Sequence, residues 1–257
     1  MHIQFGIQSN QGMVRTSNED SYAANAKKKL FLVADGMGGH AAGEVASQMA
    51  ASTMEEVVCK SDDGNRDLED VLRAAAREAN ERIYETQRQK PELAGMGSTL
   101  TVLSFRGSRY YIVQVGDSRA YLLRDGVLEQ LTRDHSLVWR LFESGILRKD
   151  ELSSHPQKNL ITRSIGPHPY IEVDVERGEA REGDVYLLCS DGLTDVLTDD
   201  DIRGILDDPQ KVPQEACDVL VNLANSRGGP DNITTVVVKL APGDASEDDT
   251  GKMSAVP

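Results

Sequence analysis

The sequence predicts an α+β fold in which antiparallel sheets stack on one another and helices cover their outer sides. Two observations predict it. β-type runs crowd the middle of the chain at 99–105, 109–115, 119–124 and 127–132, with Arg106-Gly107-Ser108 and Asp125-Gly126 between them. Asp-Gly is a strong hairpin signal. Helical patterns bracket that run on both sides.

The elements follow in order. Residues 3–9 suit a strand, and Leu30-Phe-Leu-Val-Ala34 is a short, fully apolar one. Residues 43–59 are rich in Ala, Met and Val without Pro, hence a helix. In 67–88 the apolar positions Leu68, Val71, Leu72, Ala75, Ala79 and Ile83 fall on one helical face. After the hairpins, 135–144 reads as helix and 145–170 as irregular and polar. Strands return at 171–177, 184–190 and 232–240, with a helix at 211–225 that presents Ala216, Val219, Leu220, Leu223 and Ala224 on one side. Residues 195–208, rich in Asp, read as a loop and the start of a helix, where acids suit the dipole. No linker divides the chain, so 1–240 is expected to be one domain and the Ser/Asp/Gly/Pro-rich stretch 241–257 a disordered acidic tail.

Composition narrows the function. A chain of 257 residues needs no staple: a domain of this size buries roughly 70–75% of its unfolded surface. With 28 basic against 42 acidic side chains the net charge is −14, which argues against nucleic acid and anionic membranes as partners. Three widely spaced cysteines, Cys59, Cys189 and Cys217, with no CxxC, fit a reducing compartment and no zinc site. The start lacks the marks of a signal peptide, and the apolar runs are far short of the ~20 residues of a membrane helix. A soluble cytoplasmic monomer is expected.

The acids are not spread evenly. Val33-Ala34-Asp35-Gly36, Val115-Gly116-Asp117-Ser118, Cys189-Ser190-Asp191-Gly192 and Gly229-Pro230-Asp231-Asn232 each set an Asp beside a Gly at a strand end, and Asn18-Glu19-Asp20 is a fifth acidic spot. A single Asp-Gly is ordinarily a turn. Several of these aspartates, however, abut fully apolar strands, where a carboxylate is costly unless paired or metal-bound. Five converging carboxylates would repel one another without cations. An all-oxygen donor set selects Mg²⁺ or Mn²⁺ over zinc. Two such ions ~3.5–4 Å apart can activate a bridging water and clamp a phosphoryl oxygen, so hydrolysis of a phosphate ester without a phosphoenzyme is the chemistry implied. Gly36-Met37-Gly38-Gly39-His40-Ala41 also fits a dinucleotide fingerprint, but no parallel strand follows the next helix.

These segments together resemble the bacterial serine/threonine protein phosphatases of the metal-dependent PPM (type 2C) family. The matching stretches are Gly12-x-x-Arg15-x-x-Asn18-Glu19-Asp20, Asp35-Gly36-Met37-Gly38-Gly39-His40, Gly95-Met96-Gly97-Ser98-Thr99, Gly116-Asp117-Ser118, Thr132-Arg133-Asp134-His135, Thr162-Arg163-Ser164-Ile165-Gly166, Ser190-Asp191-Gly192 and Asp231-Asn232, in the family's order across about 3–240. Ser98 stands where Thr is usual, and Ser164-Ile165 where Ala-Leu is. The resemblance implies an α-β-β-α sandwich of two stacked antiparallel sheets flanked by antiparallel helix pairs. It implies that Asp35 bridges two catalytic Mn²⁺ or Mg²⁺ ions, Asp191 and Asp231 complete the first, and the Gly36 carbonyl serves the second. Glu19 and Asp20 would hold metal-bound waters, one of them directly. Asp117 with Asp191 would bind a third ion, and Asn232 would orient Asp231 or water. Arg15 would hold the substrate phosphate, which suits a guanidinium fork, and His40 would be the general acid. The 140–170 segment corresponds in position to the family's flap. The partners implied are phosphorylated proteins and a serine/threonine kinase whose work the enzyme would reverse.

The other singular residues read blandly: His135 with Asp134 as a group that caps or orients a helix start, His2, His155 and His168 as surface residues, and Trp139 as packing. Two other functions stay in view, a phosphoesterase for small molecules on the same scaffold and a catalytically silent binding module. The full acidic set speaks against the second.

Overall fold

A computed structural model describes residues 2–38, 42–61, 66–152 and 154–242. The chain runs β1 (His2–Asn10), β2 (Asp20–Asn25), β3 (Leu30–Met37), α1 (Ala42–Lys60), α2 (Leu68–Gln89), β4 (Gly97–Ser98), β5 (Leu100–Arg106), β6 (Arg109–Val115), β7 (Arg119–Arg124), β8 (Val127–Gln130), α3 (Leu137–Glu143), β9 (Asp174–Glu179), β10 (Val185–Cys189), α4 (Asp191–Thr194), α5 (Asp199–Leu206), α6 (Pro213–Ser226) and β11 (Ile233–Ala241).

The strands form two antiparallel sheets, ordered β1-β11-β10-β7-β8 and β2-β3-β5-β6-β9, with β4 on the end of β3. Strand alternation assigns the layers. Phe31 and Val33 of β3 face the other sheet and pack with Leu103, Ile112, Tyr186 and Val236. Leu30, Leu32 and Ala34 point the other way, against Ala46, Ala50 and Met54 of α1 and Leu72 and Ala76 of α2. That is why 30–34 is apolar throughout: both of its faces are buried. On the opposite outer face, Tyr121, Leu123, Leu187 and Val237 meet Ile202 and Leu206 of α5 and Cys217, Leu220 and Ala224 of α6. The order of layers is helix, sheet, sheet, helix, as expected. One helical layer is the pair α1–α2; the other is α6 with the shorter α4 and α5 instead of a symmetric pair.

Several boundaries differ from the sequence reading for local reasons. The strand expected at 171–177 starts at 174, because the Val173 carbonyl accepts from Arg73 Nη1 at 2.5 Å instead of joining a ladder. The strand expected to reach 132 ends at 130; there the Thr132 hydroxyl, not a backbone carbonyl, accepts from the Ala120 amide at 3.1 Å. The helix expected from 135 begins at Leu137, since Ser136 is its cap and accepts from the Trp139 amide. Asp134 and His135 therefore do not cap it. β2 is an element the sequence reading does not contain, whereas the helix start read within 195–208 is α5. Thr198 and Asp201 form a reciprocal capping box at the start of α5. Beyond residue 242 the expected tail lies outside the described residues. No helix is long and apolar enough to cross a membrane among the described residues.

Candidate metal centre

Both sheets end at the site. Asp35 sits near the end of β3, directly opposite Asp20 at the start of β2. Asp117 occupies the turn between β6 and β7, Asp191 follows β10 as the first residue of α4, and Asp231 precedes β11. The strand ends deliver all five to one region, where they act on each other electrostatically.

Hydroxyls and backbone lock these positions. The Asp35 amide donates to Thr99 Oγ1 at 2.8 Å, and Thr99 Oγ1 lies 2.8 Å from Ser118 Oγ, so β3 is tied to the turn that carries Asp117. Ser98 Oγ donates to the Asp35 carbonyl at 3.0 Å, so serine fills that position with its hydrogen bond made. Ser190 Oγ donates to Asp20 Oδ2 at 2.7 Å and accepts from the Thr234 amide at 2.9 Å, joining the two sheets. The sequence reading did not single out Ser190 and Thr234; the signal was two buried hydroxyls against apolar strands.

Close backbone approach explains the glycines. A Cβ on Gly36 would lie 2.1 Å from the Gly43 carbonyl oxygen, and one on Gly43 would lie 1.9 Å from Glu19 Oε2. The Glu19 carboxylate thus lies in the space that a side chain at 43 would take. Gly116 has φ +109°, a conformation glycine tolerates, and its carbonyl accepts from the His135 amide.

The Asn232 side chain makes its hydrogen bonds to the β1–β2 loop and not to Asp231. Its carboxamide accepts from the Glu19 amide at 2.8 Å and donates to the carbonyls of Gln11 and Ser17 at 2.9 and 2.8 Å. It is the backbone amide of Asn232, not the side chain, that donates to Asp231 Oδ1, at 2.8 Å. The side chain fixes the loop from β1 to β2, and that loop carries Arg15. The Arg15 guanidinium pairs with Asp231 Oδ2 at 2.6 Å. His40 lies outside the described residues.

The electrostatics are those of a site short of positive charge. Burial pushes Asp20 up to about 6, and the charges of Asp231 and Glu19 add to the effect. Burial and then Asp134 push Asp117 up to about 7. Asp35 and Asp191 are driven well above the usual carboxylate range by burial and by the other aspartates. Among the described residues Asp231 is the only one of the five with a salt bridge, to Arg15.

The donors fit hard divalent cations. Asp20 Oδ1, Asp117 Oδ1 and Asp191 Oδ1 are buried without any hydrogen-bond partner. Buried oxygens of that kind are costly unless something electropositive meets them. All the donors are oxygens, which suits Mg²⁺ or Mn²⁺. Among the described residues no three such side chains form a ready-made cage; sites that take water at several positions do not need one.

Below Asp117, Arg119 grips Asp134 with two guanidinium nitrogens, at 2.6 Å for the closest pair, and Asp134 is 6% exposed. His135 Nδ1 accepts from the Gly116 amide, which leaves Nε2–H to face Asp174 at 3.2 Å; burial holds its pKa down. Arg163 pairs with the same Asp174 at 2.6 Å. His135 therefore anchors both ends of the 136–173 segment to the Asp117 turn. His2 and His168 are exposed, and His155 Nδ1 accepts from the Gln157 amide. Trp139 is half-buried beside Phe142 and lines the cleft that Asp117 and Asp191 also line.

The protein phosphatase 2C family model matches residues 13–226. The chain belongs to that family. This type 2C chain is 44% identical over 238 residues to the serine/threonine protein phosphatase PstP of Mycobacterium tuberculosis, covering 93% of this chain but 45% of PstP. It is 37% identical over 244 residues to the serine/threonine phosphatase stp of Listeria monocytogenes, covering 93% of this chain and 96% of that one. The catalytic domain of PstP, solved with two manganese ions, superposes with a TM-score of 0.85 at 41% identity, covering 93% of this chain and 99% of that structure. The α+β sandwich is thus shared with solved members of the family.

Proposed function

We propose that the chain is a metal-dependent protein serine/threonine phosphatase that hydrolyses phosphoserine and phosphothreonine without a phosphoenzyme. The observation that carries this reading is the meeting of Asp20, Asp35, Asp117, Asp191 and Asp231, three of them with a buried carboxylate oxygen that has no partner. The names of the PstP and Listeria relatives support the substrate class, and the two manganese ions of the PstP structure support the cofactor.

In this reading Asp35 contacts two Mn²⁺ or Mg²⁺ ions, Asp191 and Asp231 hold one, and the Gly36 carbonyl serves the other. Asp20 and Glu19 hold their waters, and Asp117 with Asp191 takes a third ion. The ions supply Lewis acidity, activating water and drawing charge from the phosphoryl oxygens. Arg15 leaves Asp231 to grip the substrate phosphate by its guanidinium fork. Asn232 keeps the Arg15 loop in place. His40 donates the proton that the leaving serine or threonine oxygen needs. Residues 1–240 act as one domain, with 140–170 as the flap. The partners are phosphorylated proteins and the kinase that modifies them, met by a monomer in the cytoplasm.

The test is phosphate release from a phosphothreonine peptide with and without Mn²⁺. Turnover should require the metal, stop in EDTA, and drop by orders of magnitude in Asp35→Ala and Asp191→Ala. Full activity in EDTA, or in both variants, overturns the reading. Faster turnover of small phosphate esters than of any phosphopeptide would reassign the substrate.

A further inference from the structure

Two clefts adjoin the aspartates. One, of about 310 Å³, lies between the 136–160 segment and α4–α5, and its lysines are already engaged: Lys158 with Asp195 at 2.6 Å and Lys149 with Asp199 at 3.2 Å. The other, of about 340 Å³, lies between β2 and α1 and contains no Lys or Arg. Its walls are Ser21 and Tyr22 on one side and Glu44, Gln48 and Glu55 on the other.

We propose that the groove between β2 and α1 takes an extended, basic stretch of the phosphoprotein substrate, leading away from the phosphorylated residue. This rests on the phosphatase reading above and names the sequence that the site prefers. Four observations carry it.

The groove is continuous with the centre. Asp20 lines it, is 8% exposed, and has Oδ1 buried with no partner. A chain whose phosphate sits among the aspartates has this groove as one way out.

Its charges lack cations. Among the described residues Glu44 has no ion pair, and Glu55 accepts only from the neutral Asn25 amide at 3.0 Å. Arg or Lys from a partner can meet both without displacing an existing salt bridge.

Its length sets the spacing. β2 and α1 run side by side, tied by Ser21 Oγ and Ser47 Oγ at 2.9 Å near one end and by Asn25 and Glu55 near the other. Glu55 lies eleven helical steps beyond Glu44, roughly 16 Å at the helical rise. An extended peptide covers that in about five residues. Basic residues are therefore favoured at two places, one beside the phosphorylated residue and one about five positions further.

Its floor suits an extended chain. β2 is an outer strand paired only with β3, so its other edge is available for backbone contacts. Tyr22 is 47% exposed there, an aromatic surface on which a guanidinium can stack.

The experiment compares kcat/KM of the Mn²⁺-loaded full chain on phosphothreonine peptides with Arg or Gln at those two places, placed before or after the phosphothreonine. At low salt the Arg peptide of one series should be preferred by roughly three- to twentyfold, as two exposed ion pairs allow. The preference should shrink toward one near 0.5 M salt. In Glu44→Gln/Glu55→Gln it should fall below about twofold, and in Gln48→Glu it should grow. A wild-type ratio near one, or an equal ratio in the double variant, overturns the groove assignment and leaves the phosphatase reading standing. If no peptide is turned over, the phosphatase reading is what failed. Anisotropy of a labelled, unphosphorylated Arg peptide then decides the groove: binding lost in the double variant upholds it, and no binding overturns it.

Discussion

Asp20 and Asp35 are partners in register on β2 and β3, so two carboxylates stand side by side on one face of a sheet. Like charges placed directly across a ladder destabilise it by up to about 1 kcal/mol. Here burial removes the water that would screen them, and Asp20 is the largest charge acting on Asp35 after burial. The fold tolerates the pair because Ser190 supports one carboxylate and because cations can neutralise both. Asp20→Asn should therefore raise the melting temperature of the EDTA-treated protein by about 2–4 °C at pH 7.5. It should also reduce the further rise that Mn²⁺ gives. Scanning fluorimetry with and without Mn²⁺ reads both; a lower melting temperature in EDTA would show that the carboxylate serves packing.

The same acids set a pH dependence. Unfolded, they titrate near 4; folded and without metal, Asp20 titrates at about 6 and Asp117 at about 7, and burial with the neighbouring aspartates drives Asp35 and Asp191 well above the usual carboxylate range. Between those limits the folded state binds more protons than the unfolded one. Stability is then fully present at the acid side of that window and is lost as pH rises through it. Glu56 and Asp201, held below their usual values by Arg82 and Arg227, act in the opposite sense, but only below about pH 4.5. In EDTA the melting temperature should fall by several degrees from pH 5 to pH 8, and Mn²⁺ should restore more at pH 8 than at pH 6. A flat profile in EDTA would contradict the electrostatic account.

Gly43 offers a steric test. A methyl group there would overlap Glu19 Oε2 and the backbone of Gly36. Gly43→Ala must displace Glu19 or part α1 from β3. Mn²⁺ affinity by calorimetry should fall at least tenfold while circular dichroism still reports the fold. Gly204→Ala, where nothing lies within 4 Å, is the control and should bind Mn²⁺ like the parent.

What the residues disclose in advance depends on how local the cause is. β3 was visible because burial on both faces leaves an unbroken apolar run, and α2 because its buried face repeats every three to four residues. Asp35, Asp117, Asp191 and Asp231 were visible because each stands at the end of such a run. β2 was hidden: Asp-Ser-Tyr-Ala-Ala-Asn has no strand pattern, and its place is set by pairing with β3. Ser136 rather than His135 caps α3 because His135 is drawn to Gly116 and Asp174, residues that only the fold brings near. The bidentate grip of Arg119 on Asp134 and the three bonds of Asn232 are likewise products of distant segments meeting.

Asn232 connects that tertiary network to the site. Its carboxamide reaches Gln11, Ser17 and Glu19 across more than 200 residues of sequence, while Arg15 lies between the anchored points. Asn232→Ala leaves two carbonyls and one amide without their partner, a cost of about 1–3 kcal/mol if they stay dry. The urea midpoint should fall accordingly. Because the loop carries Arg15, proposed above to hold the substrate phosphate, and the Glu19 carboxylate, KM for a phosphopeptide should rise more than kcat falls. Asn232→Asp keeps an acceptor for the Glu19 amide, but it loses both donors and adds a negative charge beside Asp231. It should raise KM at least as much as alanine does and recover partly at high Mn²⁺, whereas the alanine variant should not. Equal KM in parent and variants, with the urea midpoint lowered, would place Asn232 in stability alone and assign the holding of Arg15 to Asp231.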